Sequence, residues 1–314
     1  MATDFWGLDK DSYMRISIII PVYQAHDTIG ECIGSVVRQT LADWQLILVD
    51  DGSTDGSAGI CDRWAATDPR ITVVHQSNQG RSAARAEGVR HARGEWVCFV
   101  DADDTLPPDS LSRLCRAATD DVDIVLGNGY TLPGEPRPCI AMDEFRHLAV
   151  RGEGTIGVPW GALYRRSVLT DALFDLPRDI YNGEDYIFWL RLVFATQKPV
   201  NVVSEKVYLK GEEHTSNTFV WTASYAQRLD HYRLQAIPAS QRDAFLPDIL
   251  SDRIANLFDV AVCSPRSEWA HSAFMQALRH DMARAGRSFT LRQRLFLAIP
   301  SLHLRKRVAT AKSR

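Results

Sequence analysis

Two short acidic runs are the first residues in this sequence whose type and spacing suggest chemistry. They are Asp50-Asp51-Gly52-Ser53-Thr54-Asp55 and Asp101-Ala102-Asp103-Asp104. Carboxylates crowded in this way repel one another unless a positive charge or hydrogen-bond donors intervene. Aspartate oxygens suit the hard divalent ions Mg²⁺ and Mn²⁺, and a metal held by few protein ligands can complete its shell with phosphate oxygens. Between the runs stands Asn78-Gln79-Gly80, followed by Arg81 and Arg85. Further along, Asn182-Gly183-Glu184-Asp185 opens a helical pattern, and His214 sits in Gly211-Glu212-Glu213-His214-Thr215-Ser216-Asn217-Thr218. Each piece alone has an ordinary explanation. Asp-Gly-Ser-Thr-Asp is a good turn sequence, and acidic residues in a first turn complement the helix dipole. Two such runs, each after a buried strand of one sheet, are harder to dismiss.

The elements that must hold these residues alternate regularly. Residues 16–22 form a continuous apolar, β-branched run, which reads as a buried parallel strand. Strands are expected again at 45–49, 71–75, 95–100 and 122–126, with helices at 27–39, 55–66, 81–91 and 108–118 between them. Asp55 or Ser57 is the expected N-cap of the second helix. Strand, loop and helix repeated four times is the pattern of a doubly wound α/β sheet, in which ligands bind at the carboxyl ends of the strands. Pro21, Tyr23 and Gln24, both acidic runs and the Asn78 loop all follow strands, so they should converge. The alternation then breaks at three prolines between 131 and 138. A helix is expected at 184–195, one or two strands at 200–209, and mainly helix from Trp221 onward. The expected organisation is an extension at 1–15, an α/β domain at 16–218 that divides at about 130, and a helical region at 219–314.

Composition bounds the rest. The chain has 314 residues, 45% of them hydrophobic and 24% charged, too apolar for a disordered chain. A net charge of -3 argues against a dedicated nucleic-acid binder. That balance hides a segregation: residues 287–314 hold eight Lys or Arg and no Asp or Glu. No run approaches the roughly 20 apolar residues of a membrane span, and residues 1–15 lack the apolar core of a secretory signal. The six cysteines show no metal-binding spacing and suit reduced, packed thiols. A cytoplasmic protein is expected.

Taken together, the motifs resemble those of the family 2 glycosyltransferases, inverting enzymes with a GT-A fold that use nucleotide-diphosphate sugars. Ile18-Ile19-Ile20-Pro21-Val22-Tyr23 is similar to the family's first strand and nucleotide-facing loop. Val49-Asp50-Asp51 resembles its second motif, which implies that Asp51 reads the uracil edge. Asn78 and Arg85 fall in the segment that embraces base and diphosphate, although Ala86 stands where the family often has Asn. Asp101-Ala102-Asp103 resembles the metal-binding DxD motif, with Asp101 toward ribose or sugar and Asp103 on the metal. The Glu184-Asp185 pair resembles the acceptor-side signature, which implies Asp185 as the base and Glu184 as an acceptor-positioning residue. Trp160, in the stretch beside the acceptor cleft, is a candidate to stack on a sugar ring. In some members a histidine before a Ser-rich segment completes the metal shell, a position that His214 matches.

The resemblance therefore implies a Rossmann-like sandwich with a mainly parallel sheet, a UDP-sugar donor, and Mn²⁺ or Mg²⁺ as cofactor. It further implies a saccharide or lipid-linked saccharide acceptor in cell-surface polysaccharide synthesis. Two rivals belong to other classes. A nucleotidyltransferase would carry a Gly-rich, basic loop after the first strand, and Pro21–His26 has neither glycine nor Lys or Arg. A catalytically dead nucleotide-sugar-binding module would be expected to lose a carboxylate, and none is lost. The basic tail mixes apolar and cationic residues, as a segment lying on the cytoplasmic face of an anionic membrane would. The C-terminal helices could equally pack on the catalytic domain or on a second copy of the chain.

Overall fold

The computed structural model describes residues 16–127, 137–152, 157–211, 219–299, 301 and 305. The chain divides into two compact units, one of residues 1–145 and 154–214, the other of residues 146–153 and 215–314.

In chain order the first part comprises β1 (Ile16–Val22), α1 (Ile29–Val37), β2 (Trp44–Asp50), α2 (Ser57–Thr67), β3 (Ile71–His75), α3 (Arg81–His91), β4 (Trp96–Phe99), α4 (Ser110–Ala117) and β5 (Ile124–Leu126). It continues with β6 (Cys139–Ile140), α5 (Met142–Arg151), β7 (Ala162–Arg165), α6 (Asp171–Phe174), α7 (Glu184–Ala195) and β8 (Val200–Val202). All seven residues of β1 are buried, as a strand covered on both faces requires. The sheet runs β3-β2-β1-β4-β7-β5-β8-β6. Its first four strands are parallel, as is the β5–β8 pair, whereas β7 lies antiparallel between β4 and β5 and β6 runs antiparallel to β8.

The expected mainly parallel α/β sheet is therefore present, with an insertion that the alternating pattern does not reveal. β7 is only four residues long and three of them are buried, so it carries no period-2 signal. From β1 the chain moves outward to β2 and β3, then returns to place β4 on the other side of β1. The order reverses between β1 and β4, and the carboxyl ends of those strands open a crevice. Gly56, not Asp55 or Ser57, occupies the N-cap of α2. Asp55 instead uses Oδ1 to accept from the Ser57 backbone N–H at 3.0 Å.

The second unit is helical, with α8 (Ala223–Ala236), α9 (Leu246–Cys263), α10 (Arg266–Trp269), α11 (Ala273–Arg284) and α12 (Leu291–Ala298). Its core gathers Leu250, Leu257, Val260, Trp269, Phe274 and Leu278. A buried polar network runs through it, in which Arg253 donates to both oxygens of Asp230, at 2.8 and 2.7 Å, and to Asp281 at 2.5 Å. All six cysteines are free thiols. Among the described residues no helix is long and apolar enough to cross a membrane.

Candidate functional site

At the switch point lies a cleft of about 680 Å³, lined in part by Pro21, Tyr23, Asp51, Asn78, Asp101 and Asp103. The end of β1 and the loops after β1, β2, β3 and β4 thus bring together six of the sequence candidates. Gln24 sits where β1 turns into the cleft wall, at φ 51, the one non-glycine residue with positive φ among those described. Such a backbone is strained and persists where its surroundings over-determine it. Here the Gln24 amide oxygen accepts from the Thr54 backbone N–H at 2.7 Å. Beside it, the Ala25 and His26 backbone N–H groups donate to Ser57 Oγ at 2.9 Å and Asp55 Oδ2 at 3.0 Å. The loops after β1 and β2 are laced into one wall.

The six carboxylates of the acidic runs divide by role. Asp50 accepts from the Ser53 backbone N–H at 3.0 Å and faces His75 Nδ1 at 2.9 Å. That hydrogen bond raises the His75 pKa. Asp55 is spent on Ser57 and His26, and its bond to the Ser57 hydroxyl lowers its pKa. Asp104 is buried, with Oδ2 accepting from the Tyr208 hydroxyl at 2.6 Å and Oδ1 from the Gly211 backbone N–H at 2.7 Å. These three are scaffold, as the ordinary reading of an acidic loop holds.

Asp55 also lines the cleft, together with Asp51, Asp101 and Asp103. Asp51 is buried, its Oδ1 accepting from Gln76 Nε2 at 2.7 Å and Gln79 N at 2.8 Å, and its Oδ2 from Gly80 N at 2.8 Å. A carboxylate has about four lone-pair sites, so roughly one remains for a ligand. Asn78 is drawn toward a residue that sequence reasoning missed: Arg178 donates to its side-chain oxygen at 2.6 Å and to its carbonyl at 3.3 Å.

Arg85 connects the two halves of the site. Its side chain is 3% exposed, and it donates to Asp101 Oδ1 at 3.0 Å through Nη2 and to Asp185 Oδ1 at 2.5 Å through Nη1. Burial works against the guanidinium charge, but Asp185 and Asp101 outweigh it and raise the Arg85 pKa. One turn earlier on α3, Arg81 pairs with Glu184. Burial pushes the Glu184 carboxyl up, and the adjacent Asp185 adds to that push. Gly183, at φ 101, caps α7 and turns both acidic side chains toward α3. A smaller pocket of about 110 Å³ shares Gly80, Arg81, Arg178 and Tyr181 with the main cleft and is also lined by Glu184.

Trp160 does not line the cleft. Its ring stacks on Tyr208 with centroids 4.6 Å apart and planes 14° from parallel. The Tyr208 hydroxyl in turn accepts from the Asp101 backbone N–H at 3.0 Å and donates to Asp104. Trp160 thus braces the residue that shapes the Asp101–Asp104 loop, and nothing in the local sequence around Tyr208 signals this link.

The donor set fits a hard divalent ion at Asp103, which is exposed and has no hydrogen-bond or ion-pair partner among the described residues. Burial first, and then the charges of Asp103 and Asp101, raise the pKa of Asp104. Burial together with Asp104, Asp101 and Asp103 does the same to the Cys32 thiol. A cation would relieve this concentration of negative charge. Among the described residues no group of three His, Cys, Asp or Glu forms a complete metal site. His214 lies outside the described residues. Gly211 itself packs against the acidic loop: a Cβ there would meet the Asp103 carbonyl oxygen at 2.1 Å.

Sheet order, crevice and acidic loop agree with the GT-A fold that the motif resemblance implies. Residues 17–173 match glycosyl transferase family 2, and the chain belongs to that family. It is 32% identical to EpsH of Bacillus subtilis strain 168 over 205 residues, 62% of this chain and 59% of that protein. It is 30% identical to EpsJ of the same strain over 292 residues, 86% of this chain and 85% of that protein. A match of 30% identity to the poly(ribitol-phosphate) beta-glucosyltransferase of Bacillus spizizenii covers 66% of this chain and 34% of that protein. Among solved structures, S. aureus TarS 1-349 in complex with UDP-GlcNAc superposes with a TM-score of 0.60 at 20% identity, covering 88% of this chain and 93% of that one. The mannosyltransferase PcManGT from Pyrobaculum calidifontis, in complex with GDP-Man and Mn²⁺, gives 0.53 at 20% identity, with 95% and 87% covered.

Proposed function

We propose that this glycosyltransferase moves a sugar from a UDP-sugar to a saccharide or lipid-linked saccharide acceptor, with inversion and with a divalent metal, in cell-surface polysaccharide synthesis. The observation that carries the mechanism is the Arg85 bridge, which sets Asp185 and Asp101 on one guanidinium. Asp185 is then within one side chain of the donor cleft, where a base for the acceptor must stand.

Pro21, Tyr23, Asp51 and Asn78 hold the nucleoside, and Asp101 faces the ribose or sugar. A divalent ion on Asp103, with His214 as a further ligand, would supply positive charge against the leaving diphosphate. Asp185 spends Oδ1 on Arg85, which leaves Oδ2 to accept the proton of the acceptor hydroxyl. The hydroxyl oxygen attacks the anomeric carbon from the face opposite the diphosphate. As the new bond forms, the bond to the diphosphate breaks and UDP departs with its electron pair. An α-linked donor gives a β-linked product, in keeping with the beta-glucosyltransferase name of one relative. Glu184 orients the acceptor from the smaller pocket, held there by Arg81.

UDP is preferred over GDP on the motif resemblance and on the UDP-GlcNAc complex of TarS, while PcManGT binds GDP-Man. A panel of UDP-, GDP- and dTDP-sugars, scored by protection against thermal unfolding with Mn²⁺ present, tests the choice. Protection by the UDP series alone is the expected result. Equal protection by GDP-sugars would overturn the donor assignment.

A further inference from the structure

We infer that α12 is a docking face for an anionic lipid surface. Its orientation is fixed from both ends. Thr290 forms a capping box with Gln293, which defines the first turn. Phe296 and Leu297 are buried in the helical unit, and Phe296 meets Phe258 of α9 edge-on at 5.1 Å. With that face pinned, the face carrying Leu291 and Leu295 points outward. They are 74% and 62% exposed, the two highest values among the large apolar side chains described.

Single exposed leucines are normal on a protein surface, but this pair has three further features. Leu291 and Leu295 stand four residues apart, one above the other on the same helical face. Arg292 and Arg294 flank them on the helix and are exposed, as is Arg287 just before it. No Asp or Glu occurs from residue 287 to the end of the chain, where four more Lys or Arg follow Arg294 besides Arg305, which is buried over the Trp269 ring. An outward apolar ridge flanked by cations and free of carboxylates is suited to the boundary between lipid headgroups and acyl chains. There leucines insert and guanidinium groups meet phosphates. At eight residues the helix is too short to cross a bilayer, so it lies along the surface. The inference does not depend on the reaction proposed above.

The test is co-sedimentation of the full chain with vesicles of phosphatidylcholine alone or with one quarter phosphatidylglycerol, in low and moderate salt. The expected result is binding to the anionic vesicles alone, weakened by salt. Arg292→Gln/Arg294→Gln should lower the partition coefficient about fivefold per charge removed. Leu291→Ser/Leu295→Ser should lower it by about tenfold or more. An unchanged thermal unfolding transition shows that each variant is folded. Wild-type protein that stays in the supernatant with anionic vesicles overturns the inference, as does binding that neither variant weakens. So does a wild-type dimer, seen by analytical ultracentrifugation, that the leucine variant converts to monomer without any lipid binding by the parent. That outcome would assign the face to a second copy.

Discussion

Replacing Arg85 separates the charge it brings from the geometry it imposes. The guanidinium is 3% exposed between carboxylates that are 17% and 21% exposed. Removing one partner of a buried ion pair costs about 3–5 kcal/mol. Both carboxylates keep some access to water, so Arg85→Met should fall near the lower end, at about 3 kcal/mol. For a unit of roughly 200 residues this corresponds to a fall in Tm of about 6–12 °C. Arg85→Lys keeps the charge, but an ammonium cannot span Asp101 and Asp185 as a fork. It should recover most of the stability while leaving Asp185 free to rotate. A base displaced by about 1 Å costs on the order of 100-fold in rate, so kcat of the lysine variant should fall by about that factor. Scanning fluorimetry gives Tm, and UDP release at saturating donor gives kcat. A lysine variant with wild-type kcat, or a methionine variant with wild-type Tm, would refute the bridge as the element that positions the base.

Three other outcomes follow from the geometry. Asp103→Asn should lower UDP affinity by roughly tenfold or more in the presence of Mn²⁺ and little in its absence, as titration calorimetry with and without the ion will show. Gly211→Ala forces a Cβ to within 2.1 Å of the Asp103 carbonyl oxygen. It should cost about 1–3 kcal/mol and reduce donor affinity, because the Asp101–Asp104 loop must move; urea unfolding and UDP titration together check this. In the helical unit, burial raises Asp252 to about 6 despite its pairing with Arg233. Its ionisation therefore opposes folding: the stability linked to the neutral form is complete below the unfolded value near 4 and is lost as pH rises through about 6. Asp252→Asn should flatten the decline in stability between about pH 3 and 7 by up to about 3 kcal/mol, measured by chemical denaturation across that range.

The strands and helices that carry the donor cleft were legible because burial on both faces leaves long apolar runs. The segments 16–22, 71–75 and 81–91 coincide with β1, β3 and α3. β6 and β7 were not, since two and four residues leave no period to read. Residue type located the acidic runs but could not apportion them. Asp50, Asp55 and Asp104 differ from Asp51, Asp101 and Asp103 only in what the fold sets beside them. Tyr208 and Arg178 act from loops more than a hundred and about a hundred residues from their partners, at Asp104 and Asn78. Such contacts arise from sheet closure and loop geometry, which leave no local mark. Trp160 shows the converse: an aromatic beside the expected acceptor cleft whose ring is taken by Tyr208.

The most direct test compares wild type with Asp185→Asn for transfer from a UDP-sugar that protects the protein against unfolding, using lipid-linked saccharides extracted from membranes as acceptor, alongside UDP binding by calorimetry. Loss of the base should reduce transfer by about 10²–10⁴-fold and leave the UDP dissociation constant within about twofold. An asparagine variant that transfers at the wild-type rate would contradict Asp185 as the base.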